Sequence, residues 1–383
     1  MLDTTYLFVY NVVPLALYCR VKFRHRRTGM ENESIYSYLT RRGVSRRDFL
    51  KFCAGTAATL GLSSSAVPQI AEALEKKQRP SVVWMHFSEC TGDSESVLRA
   101  TKPTIGQIVL DIVSLDYHET LMAPSGFAAE KSLQDILKNK KGQYIAVYEG
   151  AVSSKDGGVY CCVAGKSSMQ ILKEVSAGAM ANIAVGNCAC FGGLSAAAPN
   201  PGGYVGIQEA IGGTVVNIAG CPMNVENFTA TVVHFLTFGA LPALDSNGRP
   251  KFAFGKLIHN NCERRPHFDA GQFVKAWGDD GAKQGWCLYE MGCKGPMSHQ
   301  NCPTIRWNGG TSWPVMAGHG CIACSTPGNW DAAYPFYKRM PKVPGAGVMA
   351  NADKIGLGIA AVAVAAVAAH AAIRTATKGK NKD

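Results

Sequence analysis

Fourteen cysteines lie in this chain of 383 residues, and no other feature restricts its possible folds as strongly. Nine of them fall into three successive groups, which also contain one aspartate and one histidine. The groups are Cys90, Asp93, Cys188 and Cys221, then His259, Cys262, Cys287 and Cys293, then Cys302, Cys321 and Cys324. A chain with this many thiols needs a use for them, and disulfides, zinc sites and iron–sulfur clusters are the candidates.

An export signal near the amino terminus helps to choose among these candidates. Residues 45–51 read SRRDFLK, a twin-arginine motif, and a mildly apolar run follows from Phe52 to Val67. An A-x-A cleavage site at residues 71–73 predicts that residues 1–73 are an N-terminal extension and signal peptide, cleaved near Ala73. The sequence leaves open a start at Met1 or Met30. Because the twin-arginine route carries folded proteins, the signal favours metal centres inserted in the cytoplasm.

A second apolar segment lies near the carboxyl terminus. Residues 355–373 form an uncharged run of 19 residues, nine of them alanine. A helix of this length extends about 28 Å, close to the hydrocarbon thickness of a bilayer. We therefore predict a C-terminal transmembrane anchor that holds an exported body on the outer, periplasmic face of the cytoplasmic membrane. A helix packed on a partner subunit is the alternative.

The positive charge of the chain does not indicate a nucleic-acid partner. The formal net charge is +11, but residues 1–73 hold ten basic and five acidic residues, and the last ten residues hold four and one. The body between them has 25 basic and 22 acidic residues. No compact basic stripe with interleaved aromatic residues is present, so nucleic-acid binding is not expected.

The body reads as an α/β domain followed by a loop-rich domain. Apolar, β-branched runs alternate with helical patterns at residues 168–181 and 225–238, which predicts a doubly wound parallel sheet over residues 74–255. The predicted strands are Ser81–Phe87, Ile108–Leu115, Tyr144–Val152, Asn182–Val185 and Val215–Ala219. After about residue 255, Gly, Pro, Asn, Trp and Cys become frequent, so residues 256–345 are expected to depend on metal clusters for stability.

Three cysteines of the first group each follow a predicted strand. Cys90 follows the first strand, Cys188 the fourth and Cys221 the fifth. Ligands of open α/β sheets bind at the carboxyl ends of the strands, so these distant thiols can converge on one site. Neighbouring glycines (Gly92, Gly186 and Gly220) allow the backbone to approach a bulky inorganic cluster. Zinc explains one group of three cysteines and a histidine, whereas three successive groups favour a chain of redox clusters.

The arrangement closely resembles the small subunit of nickel–iron hydrogenases, from the twin-arginine motif to the tail. The resemblance is carried by PSVVW at residues 80–84, ECTG at 89–92, GNC at 186–188 and GCP at 220–222. It implies a flavodoxin-like domain, then a cluster domain. It further implies a proximal cluster on Cys90, Cys188 and Cys221, a distal 4Fe–4S cluster on His259, Cys262, Cys287 and Cys293, and a medial cluster on Cys302, Cys321 and Cys324. With three cysteines and Pro314, the medial cluster is expected to be 3Fe–4S.

One position departs from the family's pattern. The usual run is Cys-Thr-Gly-Cys, and here Asp93 takes the place of the second cysteine. We expect the Asp93 carboxylate to ligate the fourth iron of a proximal 4Fe–4S cluster; the alternative is that this iron is lost. The two extra cysteines of oxygen-tolerant relatives are absent, since their positions match Gly92 and Gly193.

For Glu89 and the remaining cysteines the sequence indicates less specific roles. Glu89 either passes protons or solvates the cluster loop, and Cys190 is expected to be a packed neighbour of the first group. Cys161 and Cys162 are expected in the core, and Cys19 and Cys53 in the removed segment.

The function implied is electron transfer in a heterodimer. The resemblance places the nickel–iron site, held by paired Cys-x-x-Cys motifs, on a separate large subunit. This chain has one such motif, at residues 321–324, so it is not expected to split dihydrogen alone. We expect a membrane cytochrome b or quinone as the acceptor and a dimer of heterodimers as the assembly. The alternatives are an iron–sulfur subunit of another respiratory complex related to complex I, and a zinc-binding interaction module.

Overall fold

The chain is seen in a computed structural model that describes residues 34–41, 43–76, 79–101, 104–108, 112–341, 343 and 348–380. Cys19 and the two candidate start residues, Met1 and Met30, lie outside the described residues.

A parallel sheet forms the centre of the fold. The described residues contain nine strands: β1 (Ser81–His86), β2 (Ser114–His118), β3 (Tyr144–Glu149), β4 (Val152–Ser153), β5 (Cys162–Val163), β6 (Lys166–Ser167), β7 (Ala181–Val185), β8 (Tyr204–Val205) and β9 (Val216–Ile218). Five of them pair in the order β2-β1-β3-β7-β9, and every pair is parallel. β4 with β8 and β5 with β6 form two small antiparallel ladders.

Helices surround the sheet, and shorter helices follow them after residue 250. The described residues contain seventeen: α1 (Ile35–Arg41), α2 (Arg46–Thr59), α3 (Val67–Lys76), α4 (Gly92–Leu98), α5 (Ile105–Gln107), α6 (Phe127–Asn139), α7 (Ser168–Ser176), α8 (Gly186–Phe191), α9 (Ile207–Ile211), α10 (Val225–Phe238), α11 (Lys251–Phe254), α12 (Ile258–Asn261), α13 (Arg265–Asp269), α14 (Asp280–Lys283), α15 (Cys302–Ile305), α16 (Asn329–Ala332) and α17 (Val348–Lys380). Short 3₁₀ segments lie at Ser64–Ala66, Lys155–Gly158, Tyr289–Met291 and Gly295–Met297.

The sheet is covered on both faces, as the apolar strand sequences predict. Along β1, Val82 and Trp84 pack into one core with residues of α10, while Val83 and Met85 pack into a second core with residues of α6 and α7. All residues of β1 and β3 are buried, which is why these strands are apolar without alternation. The predicted doubly wound α/β fold is therefore confirmed, with strand order and direction of the flavodoxin-like type.

Several element boundaries differ from the prediction. The strand predicted over Tyr144–Val152 is divided into β3, which ends at Glu149, and the separate strand β4. The second strand is Ser114–His118, not Ile108–Leu115, because Ile108 and Ile112 pack as core residues ahead of the edge strand. That edge strand alternates polar and apolar residues, so a search for continuous apolar runs misses it. The helix after β6 ends at Ser176 rather than Ala181, because Ala181 already begins β7. The predicted helix over residues 225–238 is confirmed.

The chain changes character after residue 250. From there to residue 341 the structure has only short helices and turns among its described residues. Two small cores hold this region together, and cysteines belong to both: Cys302 and Cys321 are buried in one, and Cys287 in the other. The domain boundary near residue 255 stays a prediction, since residues 34–383 form one unit by their contacts.

The chain ends in the long helix α17. Its segment Lys354–Ile373 has a mean hydropathy of 2.1 and is long and apolar enough to cross a membrane. Its apolar side chains are exposed, with Val362 and Val367 each at 71%. A helix this apolar and this exposed fits a bilayer better than water, which agrees with the predicted anchor.

Candidate metal-cluster sites

The first group of predicted ligands converges at one edge of the sheet. Cys90 lies between β1 and α4, Cys188 lies on α8 directly after β7, and Cys221 follows β9. Because these strands are parallel, their carboxyl ends meet at the same edge. Burial raises the pKa of Cys188 to about 11, with the charges of Asp93 and Cys90 contributing, and the same two charges act on the Cys221 thiol. The four predicted proximal ligands therefore lie within electrostatic reach of one another.

Glycines line this site where a larger residue would block it. A methyl group at Gly193 would collide with the Cys188 sulfur, and one at Gly92 would lie 3.1 Å from the Cys90 sulfur. Gly193 and Gly186 also have positive φ angles, +55° and +78°, which favour glycine. The space beside the thiols is thus kept free of side chains, as a bulky inorganic cluster requires.

Asp93 is held at this site as a buried carboxyl group. It lies on the first turn of α4 with 8% of its surface exposed. One carboxylate oxygen accepts the Met223 backbone N–H at 2.6 Å, and the other lies against Gly186. Desolvation, together with the charges of Glu149 and Glu89, raises the pKa of Asp93 well above its usual value. None of the interactions that the structure describes for Asp93 involves a lysine or arginine, so a metal cation fits its oxygen donors.

Glu149, to which the sequence pattern assigns no role, anchors the Asp93 turn. Glu149 ends β3 and is fully buried. Its carboxylate accepts hydrogen bonds from Trp84 Nε1 at 3.1 Å, from Ser94 Oγ at 2.6 Å and from the Asp93 backbone N–H at 2.9 Å. The signal in the sequence is a single acidic residue at the end of an apolar strand, at the edge where ligands bind.

Replacing Glu149 with alanine is expected to destabilise the domain. Three buried donors would lose their acceptor, which costs about 3 kcal/mol in the free energy of unfolding, measured by urea denaturation. Glu174→Ala is the matched control, because the interaction that the structure describes for Glu174 is an exposed ion pair with Lys166, whose loss should cost under about 1 kcal/mol. Equal losses in the two variants would show that Glu149 does not anchor the turn.

Glu89 belongs to a buried network beside the first group. Its Oε1 lies 3.1 Å from His86 Nδ1 and accepts a hydrogen bond from the Thr91 hydroxyl at 3.3 Å. Burial disfavours the charged ring of His86, but the hydrogen bond to Glu89 and the charge of Glu149 outweigh it and raise the pKa of His86. Both readings of Glu89, proton passage and solvation of the loop, stay predictions.

The second group of predicted ligands lines a single cavity. His259, Cys262, Cys287 and Cys293 all face it, together with apolar side chains such as Ile258. His259 Nε2 is buried, and the structure describes no partner for it. Burial, followed by the charge of Arg265, lowers the pKa of His259 to about 4, so its ring is neutral at pH 7 and able to ligate a metal. This donor set fits the predicted distal cluster.

The third group lies between the other two. Burial and the proximity of Cys324 raise the pKa of Cys302, and Cys321 interacts with both of them. Pro314, which lies on the intervening loop, is exposed. Cys302 and Cys321 are buried, Cys324 is half-buried, and the charges of the three thiols act on one another, which fits the predicted medial cluster.

Hydrogen bonds connect the three groups in order. The side-chain amide of Asn187, beside Cys188 of the first group, donates to the backbone carbonyl of Cys324 in the third group at 2.7 Å. The N–H of Cys321, also in the third group, donates to the sulfur of Cys293 in the second, at 3.3 Å. The predicted medial ligands therefore bridge the predicted proximal and distal ligands. The assignment of each residue as a ligand stays a prediction.

Further backbone donors point at the sulfurs. Arg264 N donates to Cys262 at 3.4 Å, Ala323 N to Cys321 at 3.3 Å, and Gly295 N to Cys293 at 3.5 Å. Hydrogen bonds of this kind tune the potential of thiolate-bound clusters.

The remaining described cysteines lie outside the three groups. Cys190 is buried and donates to the Ala184 carbonyl at 3.4 Å, and Cys53 is buried on α2. Cys161 is half-buried and packs against a core of the sheet, whereas Cys162 is exposed, so the prediction of a core position is wrong for Cys162. The β5–β6 hairpin carries Cys162 on the surface, and its neighbours Val159 and Tyr160 are exposed as well.

The fold is that of an α/β protein, and its cysteines lie in three neighbouring groups whose donor sets fit thiolate-bound metal clusters. Comparison with known families agrees. The family model for the C-terminal part of NiFe/NiFeSe hydrogenase small subunits matches residues 254–337. The model of the 20 Kd subunit of NADH ubiquinone oxidoreductase matches residues 90–235.

Individual relatives match nearly the whole chain. The uptake hydrogenase small subunit of Azotobacter vinelandii is 47% identical over 351 residues, which cover 91% of this chain and 98% of that protein. The hydrogenase-2 small chain of Escherichia coli K12 is 49% identical over 300 residues, 78% of this chain and 80% of that protein. The chain therefore belongs to the family of nickel–iron uptake hydrogenase small subunits, whose active site lies on a large-subunit partner and which carry iron–sulfur clusters.

Solved structures agree in fold. The nickel–iron–selenium hydrogenase of Desulfomicrobium baculatum aligns with a TM-score of 0.65 and 31% identity, covering 69% of this chain and 100% of that chain. The actinobacterial-type nickel–iron hydrogenase of Ralstonia eutropha H16 aligns with a TM-score of 0.63 at 23% identity, covering 74% and 92%. The second likeness concerns the fold alone.

Proposed function

We propose that this chain carries electrons from dihydrogen oxidation in the large subunit, through three iron–sulfur clusters, to an acceptor in the membrane. A proximal 4Fe–4S cluster is bound by Cys90, Asp93, Cys188 and Cys221, and a distal 4Fe–4S cluster by His259, Cys262, Cys287 and Cys293. A medial 3Fe–4S cluster is bound by Cys302, Cys321 and Cys324. When bound, these clusters supply one-electron redox centres.

One observation carries the proposal: hydrogen bonds connect the three ligand groups in series. Asn187, next to Cys188, donates to the Cys324 carbonyl at 2.7 Å, and the Cys321 N–H donates to the Cys293 sulfur at 3.3 Å. A protein that used separate metal sites only for stability would not need such contacts between them. The contacts keep consecutive sites at short range, which a relay of electrons requires.

The residues around the groups stabilise charge on the sulfurs. Backbone N–H groups donate to the thiolates, and burial excludes water from most of them. Lys294 is 4% exposed, and its ammonium group donates to the Lys338 and Pro335 carbonyls. Its backbone N–H donates to the Cys321 carbonyl. This buried cation offsets negative charge between the distal and medial groups.

The large subunit binds this chain at the exposed edge of the first group. Cys90 and Cys221 are exposed in this chain, although both are predicted to bind a cluster. Leu194, six residues after Cys188, is 62% exposed. A cluster and an apolar side chain left open to water favour a partner that covers both. The large subunit with the nickel–iron site is that partner.

The other end of the relay lies near the predicted anchor. α17 contacts α13, and Arg265 of α13 lines the cavity of the distal group. Electrons that reach the distal cluster are thus near the membrane surface, where a cytochrome b or a quinone accepts them. The exposed Arg46 and Arg47 of the twin-arginine motif direct the folded chain to the periplasmic side. We propose a dimer of heterodimers as the assembly.

An electron-transfer subunit of a complex related to complex I is the second candidate. The match of residues 90–235 to the 20 Kd subunit model favours it for the α/β domain alone. The distal group, with its histidine, lies beyond that match and within residues 254–337. The hydrogenase function is therefore preferred.

Membranes from cells that produce this chain and its large subunit test the function. We expect dihydrogen to reduce the membrane quinone pool in wild type. A chain that ends at Val343 should move the activity to the soluble periplasmic fraction, retain reduction of a soluble dye and lose reduction of quinone. Removal of residues 374–383 alone is the control, because it keeps the apolar segment. Quinone reduction by the soluble enzyme at the wild-type rate would show that electron transfer to quinone does not need the C-terminal anchor.

A further inference from the structure

The predicted signal segment is packed into the folded domain. α2 and α3 lie within residues 45–76, which the sequence assigns largely to a removable signal. Phe49 and Cys53 of α2 are 1% and 0% exposed, and Ile70 and Leu74 of α3 are both 0% exposed. All four belong to the core that contains Val82 and Trp84 of β1. A freely extended signal peptide would not bury these side chains.

The surface that receives this segment is provided by α10. Both α2 and α3 contact α10, whose sequence VENFTATVVHFLTF has few polar positions. Phe228, Val232 and Leu236 of α10 are at most 6% exposed, and they share a core with the sheet and with α2 and α3. A helix that is apolar on most sides needs cover on most sides. Here the sheet covers one side, and the chain's own signal segment contributes to covering the other.

The two functional parts of the signal, the twin-arginine pair and the cleavage site, differ in how far they are exposed. Arg46 and Arg47 are exposed, and Arg46 forms a long ion pair of 3.7 Å with Glu75. The predicted cleavage site lies inside α3, where Ala71 is 6% exposed and the next residue after the site, Leu74, is fully buried. A peptidase needs the substrate backbone to be locally unfolded and accessible. In the packed state the twin-arginine pair is exposed, whereas the cleavage site is held within a helix that buries Ala71 and Leu74 against the core.

We propose that, before export, residues 45–76 dock on α10 of the folded domain as an intramolecular partner, leaving the twin-arginine pair accessible and shielding the cleavage site until the segment is pulled away. The inference rests on the proposed export of this chain. Because the α10 surface exists only in the folded α/β domain, the docked segment forms only on a chain that has folded. Cleavage then follows undocking rather than preceding it.

Hydrogen–deuterium exchange on the full-length precursor tests the docking. The precursor is purified from cells that lack a twin-arginine translocase, so that its signal is retained. We expect the amides of residues 70–76 in wild type to exchange at least about tenfold more slowly than an unfolded peptide of the same sequence. Exchange at the unfolded rate in wild type would overturn the proposal without any variant.

A matched pair of variants separates docking from a general effect of charge. Ile70→Asp places a carboxylate on the buried side of α3, and Gln69→Asp places one on its exposed side. Ile70→Asp should remove the protection of residues 70–76 and raise the rate of cleavage by purified signal peptidase about tenfold. Gln69→Asp should change neither, and both should retain the visible absorbance of the clusters. Equal cleavage rates in the two variants would contradict the proposal.

The outcome is independent of whether export itself follows the proposed route. Replacing Arg46 and Arg47 with lysine should block export while leaving the exchange of residues 70–76 unchanged, because both side chains are exposed. Normal export of that variant would refute the twin-arginine route and leave the docking result standing. Loss of protection in that variant would contradict the docking of residues 45–76 on α10.

Discussion

Replacing Asp93 with cysteine is expected to lower the reduction potential of the proximal cluster by about 60 mV or more, a tenfold change in a one-electron equilibrium. A thiolate donates more electron density to iron than a carboxylate does, so it stabilises the oxidised cluster. Asp93 is buried against Gly186 and within electrostatic reach of Cys90, Cys188 and Cys221. Redox titration followed by electron paramagnetic resonance of the heterodimer measures the shift.

Glu95→Cys provides the matched control for this substitution. Glu95 lies on the same helix, two residues further on, and is exposed. The same chemical change there should leave the potential and the spectrum unaltered. Asp93→Ala should lose the fourth iron or the whole cluster. A proximal-cluster signal and potential unchanged by Asp93→Cys would mean that Asp93 is not a ligand.

Replacing Cys293 with alanine should stop electron delivery and leave the chemistry of the large subunit in place. Cys293 lines the distal cavity, and its sulfur accepts the Cys321 N–H, so the substitution removes a distal ligand and a contact to the medial group. Loss of an outer-shell partner alone costs a metal site tenfold to about a hundredfold. We expect dihydrogen-driven reduction of quinone to fall by at least that factor.

Isotope exchange separates this effect from a general loss of folding. Exchange between dihydrogen and deuterated water occurs on the large subunit and requires no electrons to leave it, so it should persist in Cys293→Ala. Cys162→Ala is the control, because Cys162 is an exposed thiol outside the three groups. Full quinone reduction in Cys293→Ala would show that the distal cluster is not part of the electron-transfer chain. Loss of isotope exchange would indicate a disrupted heterodimer.

The sequence predicts two kinds of feature well. The first are local elements such as apolar strands and helices, and the second are side chains that meet because parallel strands end at the same edge. The buried strands β1 and β3 are continuous apolar runs, and α10 has the predicted bounds. Because parallel strands end at one edge, the convergence of Cys90, Cys188 and Cys221 could be inferred from their positions after strands. The spacing of the cysteines indicates the second and third groups, but their assignment to a distal and a medial cluster depends on the resemblance, since no regular element connects their cysteines.

The features that the sequence does not predict depend on contacts between distant segments. Glu149 is one acidic residue at the end of an apolar strand, and its role is apparent only because α4 places Asp93 and Ser94 above it. The edge strand β2 is set by its pairing with β1 rather than by an apolar run. The N–H contacts between the groups, and the docking of α3 on α10, are tertiary interactions that no periodicity encodes.

The cluster inventory of the purified heterodimer tests the central claim most directly. Mössbauer spectroscopy of the 57Fe-labelled protein, combined with electron paramagnetic resonance of its oxidised form, counts and distinguishes the clusters on this chain. We predict two 4Fe–4S clusters and one 3Fe–4S cluster, with one iron of the proximal cluster in an oxygen-ligated environment that disappears in Asp93→Cys. A chain with fewer than three clusters, or with zinc in any of the three cysteine groups, would contradict the relay.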